Sequence, residues 1–103
     1  MICVRGDIPH LRARGSKQRG ARYAVVVQAD DLLLSTVLVV PTSRSAPARI
    51  FRPTIIVGDE PTQVLTEQTA AVAPERLGEF VGHVSLDEMQ QIDAALRLTL
   101  GLD

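Results

Sequence analysis

The amino-acid sequence predicts an α+β protein, mainly β, in which short strands form a strongly curved sheet or partly open barrel that one helix closes. Two observations predict this architecture. Up to residue 84, short apolar runs rich in valine and isoleucine alternate with clusters of glycine, proline, serine and aspartate, as strands and turns do. From residue 85 onward, apolar side chains recur at three- and four-residue spacing, as in an amphipathic helix. The 103 residues fit a single domain spanning 1–103.

Six strands are predicted from the apolar runs. Pro9 ends the first and Pro41 ends the third, because proline cannot donate a hydrogen bond within a sheet. Residues 10–23 are too polar and too rich in glycine and arginine for a regular element, and a loop of that length is usually functional or disordered. A further turn is predicted at residues 58–61. The six strands span residues 1–8, 24–28, 32–40, 49–57, 63–72 and 79–84.

Helical elements are predicted toward the C-terminus. Residues 73–78 form a single turn, with a proline near its start and a glycine at its end. Ser85, followed three residues later by Glu88, forms a capping box that begins the long helix. Gly101 ends that helix. Its apolar face consists of Met89, Ile92, Leu96 and Leu100.

Charge is distributed unevenly along the chain. Residues 1–52 carry nine cationic side chains against three acidic ones, whereas residues 53–103 carry two against nine. Nearly all the cations are arginines, whose planar guanidinium matches the geometry of a phosphate. A basic face of this kind indicates a polyanionic partner. The alternative is an ordinary solvated loop surface.

The cysteine and histidine content indicates neither a disulfide framework nor a metal site. Cys3 is the only cysteine, which excludes an intrachain disulfide and a cysteine-based zinc site and favours a reducing cytoplasm. His10 and His83 have no metal-ligand spacing to each other or to an acidic cluster, so we predict no metal and no cofactor. No signal peptide and no apolar run of transmembrane length is visible, so no membrane association is expected.

Two polar segments that adjoin strands are candidate sites. In the cationic segment 15–22, Arg22 lies two residues before the first buried position, so a rigid strand would hold its guanidinium as a phosphate clamp. In the segment 41–45, Thr42 and Ser43 follow a buried strand together with Arg44, and their hydroxyls can bind phosphate oxygens. A solvated arginine and an ordinary serine-rich turn are the corresponding structural alternatives.

Short motifs in a fixed order resemble the MazF/PemK family of toxins from bacterial toxin–antitoxin pairs. The resemblance covers residues 5–102. The motifs are Gly6-Asp7-Ile8, the GSKQRGAR segment at 15–22 just before AVVV, Val40-Pro41 followed by hydroxyl residues, Glu67-Gln68, Glu75–Gly78, Gly82–Ser85 and the amphipathic helix.

This resemblance implies an SH3-like barrel with a C-terminal helix that acts as a homodimer. It implies a metal-independent endoribonuclease that cuts single-stranded RNA at short sequences, and a cognate antitoxin whose flexible acidic segment blocks the RNA groove. By position, Arg22 matches the family's catalytic arginine and Ser43 its catalytic threonine, with Thr42 as a second hydroxyl donor. The residues expected to bind RNA are Arg14, Lys17, Arg19 and Arg44.

The chain departs from the family pattern at three positions. Lys17 replaces a common glutamate, Tyr23 replaces a proline, and Pro9 replaces an aromatic residue. Without that glutamate, the general base is Lys17 with a lowered pKa, His10 or water. The favoured interpretation is that Lys17 contacts a phosphate, which leaves His10 or water as the base. The departures leave two rival functions open: a gyrase-poisoning toxin of the same fold, and a non-catalytic RNA-binding module.

Overall fold

Seven short strands and a C-terminal helix form most of the structure, a computed structural model that describes residues 3–12 and 22–103. Two single 3-10 turns, Thr66–Gln68 and Pro74–Arg76, lie before and after β6. The elements are β1 (Asp7–Leu11), β2 (Ala24–Val26), β3 (Val37–Ser43), β4 (Thr54–Val57), β5 (Glu60–Val64), β6 (Ala70–Val72), β7 (Leu77–His83) and α1 (Leu86–Leu100).

Strand β3 is the centre of the sheet. It pairs with β2 along one side, while its other side pairs first with β6 and then with β5, which continues to β4. All these pairings are antiparallel. Strands β1 and β7 form a second ribbon, and a bridge between His10 and Tyr23 joins that ribbon to β2. The strands thus form a curled half-barrel, which confirms the predicted fold class of a small curved sheet closed by a helix.

The prediction that prolines end the first and third strands was wrong at both positions. Pro9 lies within β1, where the pairing register with β7 shifts on either side of it, so no ladder hydrogen bond is required of it. Pro41 lies within β3. Amide groups of alternate residues point to opposite sides of a strand. The nitrogen of Pro41 faces the side on which the partner of β3 changes from β6 to β5, and a proline is tolerated there because its missing N–H falls at this change of partner.

Other predicted strands have different limits. The leucines at 32–34 belong to an exposed loop, with Leu33 93% exposed, and the strand begins only at Val37. Residues 49–53 precede β4 as a turn. The predicted strand 63–72 is interrupted by the 3-10 turn at Thr66, whose hydroxyl bonds to the carbonyl of Phe51 and to the hydroxyl of Thr99.

The hairpin between β4 and β5 has a two-residue turn, Gly58-Asp59, in which both residues adopt positive φ angles of 57° and 67°. Such a turn matches the twist of the two strands. The strand therefore resumes at Glu60, one residue before the Pro61 that was predicted to lie in the turn.

The core has two layers because side chains alternate across the strands. One layer lies between the sheet and the helix, and the other lies between the sheet and the β1–β7 ribbon. The first consists of Ile8, Val25, Val27, Val40, Ile55, Val57, Val64, Val84 and Ile92. The second consists of Leu11, Ala24, Val26, Val37, Val39, Val72 and Leu77.

The C-terminal helix has the predicted limits. The Ser85 side chain accepts from the backbone N–H of Glu88, and the Glu88 side chain accepts from the backbone N–H of Ser85. Glu88 also accepts the N–H of Ile56 at 2.9 Å, which satisfies one edge group of β4. Gly101 ends the helix in the left-handed conformation.

Candidate active site

The backbone around Arg22 is fixed from two sides, although the Arg22 side chain is exposed. The carbonyl of Arg22 accepts the N–H of Leu11 at 2.8 Å. The carbonyl of the next residue, Tyr23, accepts both the N–H of Thr42 at 3.0 Å and its hydroxyl at 2.9 Å. Hydrogen bonds from β1 and β3 therefore hold the backbone at Arg22 and Tyr23 in place, while the Arg22 side chain is exposed to solvent.

The strand register places Ser43 beside Arg22. Ala24 pairs with Pro41 and Tyr23 bonds to Thr42, so the next step of the same register sets Arg22 opposite Ser43. Residues directly opposite in an antiparallel pair share a face of the sheet. Both residues line a cleft of about 330 Å³, together with Tyr23, Thr42, Arg44, Ser45 and Thr62.

The two neighbouring hydroxyls make different hydrogen bonds. Thr42 is 6% exposed, and its hydroxyl donates to the Tyr23 carbonyl, so its hydrogen is already used. The Ser43 oxygen instead accepts the N–H of Ala46 at 3.0 Å and the N–H of Ser45 at 3.3 Å. A hydroxyl that accepts in this way keeps its own hydrogen for donation, either to a bound anion or to the Ser45 hydroxyl oxygen 3.4 Å away. Ser43 is therefore better placed than Thr42 to donate to a bound anion.

The cleft is electrostatically suited to an anion. Arg22 and Arg44 both line it, and no acidic side chain is among its lining residues in the described part of the chain. Hydroxyl and guanidinium donors combined with net positive charge are the groups that bind phosphate. The three other residues predicted to contact RNA, Arg14, Lys17 and Arg19, lie outside the described residues.

The two histidines have different surroundings. The ring of His10 packs edge-on against Tyr23, with 5.8 Å between ring centroids, so it lies behind one wall of the cleft. The ring of His83 contacts the carbonyl oxygens of Arg5 at 3.0 Å and Val84 at 2.7 Å. His83 thus links β7 to the turn before β1, as expected of a structural residue.

Thr62 was missed by the sequence reasoning. It is 2% exposed and its hydroxyl donates to the carbonyl of Glu60 at 3.1 Å, yet it lines the cleft from β5. Its strand is adjacent to the last two residues of β3. No motif marks this position, and only the pairing of β5 with β3 brings it to the site.

Glu67 forms an ion pair with Arg52 and does not lie among the residues that line the cleft. Their closest atoms, Glu67 Oε2 and an Arg52 terminal nitrogen, are 2.5 Å apart. The hydrogen bonds from Arg52 lower the pKa of the Glu67 carboxyl, and the same bonds raise the pKa of Arg52. The pair joins the turn before β4 to the 3-10 turn after β5.

Replacement Glu67→Gln is expected to give a pH-dependent loss of stability. Because the folded-state pKa of Glu67 is lowered, its contribution is present above the ordinary glutamate pKa of about 4.3 and disappears as the pH falls through the folded-state value. The midpoints of urea unfolding of wild type and variant should therefore differ at pH 7 and converge toward pH 3. A difference that is the same at both pH values would contradict this role.

No cluster of histidine, cysteine and acidic residues in ranges 3–12 and 22–103 is arranged to hold a metal ion. Within those ranges the structure also contains no helix of the length and hydropathy needed to span a membrane.

Comparisons with known proteins relate nearly the whole chain to one family. The family model for PemK-like, MazF-like toxins of type II toxin–antitoxin systems matches residues 4–100. A Mycobacterium tuberculosis protein named "Putative toxin Rv3098A/RVBD_3098A" is 38% identical over 90 residues, which are 86% of this chain and 85% of that protein.

Solved structures of similar fold are also found. One is an endoribonuclease in complex with its cognate antitoxin from a mycobacterial species, with a TM-score of 0.80, 18% identity, and coverage of 98% of this chain and 97% of that chain. Another is the MazE–MazF complex from Deinococcus radiodurans, with a TM-score of 0.81, 18% identity, and coverage of 100% and 99%.

Proposed function

The chain belongs to the family of PemK-like, MazF-like toxins of type II toxin–antitoxin systems, and from this premise we propose that it is a sequence-specific, metal-independent endoribonuclease that cuts single-stranded RNA. The observation that carries the proposal is the cleft that Arg22 lines from just before β2 and Ser43 lines from the end of β3. Both groups are donors, and neither depends on a metal to bind a phosphodiester.

In the proposed reaction, the 2′-oxygen of the RNA attacks the adjacent phosphorus and loses its proton to a base. The bond from phosphorus to the 5′-oxygen breaks, and that oxygen takes up a proton. The products are a 2′,3′-cyclic phosphate and a 5′-hydroxyl. Because the nucleophile lies within the substrate, the protein's main task is to hold the phosphate and stabilise the charge that develops on its oxygens.

Arg22 and Ser43 supply this stabilisation, and Arg44 extends the positive surface along the RNA. Arginine stays protonated and cannot act as the base. The base is Lys17, His10 or water, as the sequence leaves open. Arg14, Lys17 and Arg19 complete the RNA contacts from the segment outside the described residues.

The proposed partners follow from the same cleft. Its two arginines suit a flexible acidic segment of a cognate antitoxin, which would occupy the cleft and exclude RNA. Two of the solved structures of similar fold, the mycobacterial endoribonuclease–antitoxin complex and the MazE–MazF complex, support an antitoxin as the partner. We further propose that the protein acts in the cytoplasm as a homodimer.

The test is incubation of the purified protein with mixed messenger, transfer and ribosomal RNA in excess EDTA, followed by mapping of the product ends. The expected result is discrete cuts that leave 5′-hydroxyl ends and 2′,3′-cyclic phosphates. An absence of cuts in all three RNA classes would overturn the enzymatic function. Retained RNA binding would then indicate a non-catalytic module, and binding to gyrase would indicate a gyrase poison.

A further inference from the structure

Tyr23, which stands where the family pattern has a proline, is the one aromatic residue that lines the cleft in the described part of the chain. The register places it between His10 on β1 and Thr42 on β3, so these three side chains share a face of the sheet. Its ring packs against the core layer between the sheet and the helix and meets the His10 ring edge-on. These contacts hold the ring in place just before β2.

The cleft is bordered by residues from both faces of the sheet. Side chains alternate along a strand, so Tyr23 points to the opposite face from Arg22. Thr42 on the Tyr23 face and Ser43 on the Arg22 face both line the cleft. A phosphate bound by Arg22 and Ser43 therefore occupies a cleft that Tyr23 also borders.

The Tyr23 hydroxyl differs from the threonine hydroxyls of the cleft in its hydrogen bonding. It makes no hydrogen bond within the described residues, where every buried side-chain nitrogen or oxygen has a partner. The Tyr23 hydroxyl is therefore accessible to solvent, and its hydrogen is available to a ligand. The hydroxyls of Thr42 and Thr62 already donate to the carbonyls of Tyr23 and Glu60.

The proposed reaction needs a group that protonates the 5′-oxygen as it leaves phosphorus. A guanidinium stays protonated and an aliphatic hydroxyl holds its proton too tightly, so arginine, serine and threonine do not release a proton at neutral pH. A phenol can release its proton to a leaving oxygen. Apart from Tyr23, the described residues that line the cleft are arginines, serines and threonines. Tyr23 is thus the described lining residue with the chemistry of a general acid.

We infer that the Tyr23 phenol is the general acid of the reaction. As the 2′-oxygen bonds to phosphorus and the bond from phosphorus to the 5′-oxygen breaks, the phenol passes its proton to the 5′-oxygen. The phenolate then regains a proton from water or from the base that took the 2′-proton, so the cycle releases no net proton. The inference rests on the proposed function and assigns the proton donor that Arg22 and Ser43 do not supply.

The experiment compares two leaving groups. A short RNA that contains the mapped cut site is made with oxygen or with sulfur at the bridging 5′-position of the cut, and initial rates are measured in EDTA for wild type and Tyr23→Phe. A thiolate is a much weaker base than an alkoxide, so a 5′-sulfur leaves without an acid. The matched control is Thr54→Val, which removes an exposed hydroxyl of β4 that does not line the cleft. Far-UV circular dichroism and thermal unfolding verify that each variant is folded.

Tyr23→Phe is expected to cut the oxygen-linked RNA about 10²- to 10⁴-fold more slowly than wild type, the usual effect of losing a general acid. It should cut the sulfur-linked RNA at close to the wild-type rate. Thr54→Val should match wild type on both substrates. A variant that merely disturbed the packing of the ring would slow both substrates alike, so the difference between the substrates distinguishes an acid from a structural residue.

A second measurement needs no substitution, because Tyr23 is the only tyrosine of the chain. Production of the protein with 3-fluorotyrosine makes this single phenol more acidic. The titratable and charged groups described around it, the His10 ring and the two arginines of the cleft, stay the same. Because the acid must be protonated to act, the alkaline limb of the kcat/KM profile should move to lower pH.

Failure of the inference is distinguishable from failure of the proposed function. If wild type cuts neither RNA, both are overturned. If wild type cuts RNA and folded Tyr23→Phe is either as fast as wild type on the oxygen-linked RNA or equally slowed on both RNAs, only the inference is overturned. An alkaline limb that fluorotyrosine does not move also overturns it, and this profile decides the matter should Tyr23→Phe fail to fold.

Discussion

Replacement Arg22→Ala is expected to lower the rate of RNA cleavage by about 10³-fold or more while the fold remains intact. Arginines that stabilise a phosphoryl transition state contribute on this scale. The fold should tolerate the change because the side chain is exposed and what anchors this position is its backbone carbonyl, bonded to Leu11. The measurement is the initial rate on a defined RNA in EDTA, compared with the thermal midpoint of each protein.

Two further variants give this prediction its controls. Arg22→Lys keeps the charge but loses the planar fork, so its rate should lie between wild type and Arg22→Ala. Arg97→Ala removes an exposed arginine of α1 and should cut at the wild-type rate. If Arg22→Ala retained most of the activity, or if Arg97→Ala were equally impaired, the cleft would not be the active site.

Local patterns in the sequence predict most of the fold. Ser85 and Glu88 bond to each other across three residues, and the N–H of Gly101 bonds to carbonyls three and four residues earlier, so both limits of α1 could be predicted from local sequence. Pro41 is different, because it is tolerated inside β3 only where the partner of that strand changes. That change depends on β5 and β6, which lie more than fifteen residues away along the chain, and no local pattern reports it.

The loop at 32–34 shows another limit of sequence patterns. Three consecutive leucines favour a buried strand by composition, yet all three are exposed. The β2–β3 pairing ends where Val27 bonds to Leu38, so residues 28–36 form a connection rather than a paired strand. Hydrophobic content indicates burial only where a partner strand is present.

The candidate site was predictable in its residue types but not in its hydrogen bonds. Arg22 and Ser43 were separate candidates that each adjoin a buried strand, and the family resemblance assigned both to one site; the strand register brings them to one cleft. The family resemblance matches Ser43 to the catalytic threonine, but the local sequence does not rank Ser43 against Thr42, since both are hydroxyl residues at the end of the same apolar run. The ranking depends on which face of β3 each residue occupies and on the Tyr23 carbonyl that lies across the strand pair.

That ranking leads to the second large effect. Ser43→Ala is expected to lower the cleavage rate by about 10²- to 10³-fold, the usual consequence of removing one donor to a developing oxyanion. Thr42→Val should instead change the rate by less than about tenfold and cost roughly 1 kcal/mol of stability, because it removes a buried hydrogen bond to Tyr23. The two variants are compared by initial rate in EDTA and by the free energy of unfolding in urea.

A third variant separates a donor role of Ser43 from its role in shaping the loop. Ser43 accepts the N–H groups of Ser45 and Ala46, so alanine could slow the reaction by shifting these residues. Ser43→Thr keeps the hydroxyl and should restore most of the rate, whereas Ser43→Val fills similar space without a hydroxyl and should be as slow as Ser43→Ala. If the valine variant were fast, or if Thr42→Val were the slower of the neighbouring pair, the hydroxyl assigned to the transition state would be the wrong one.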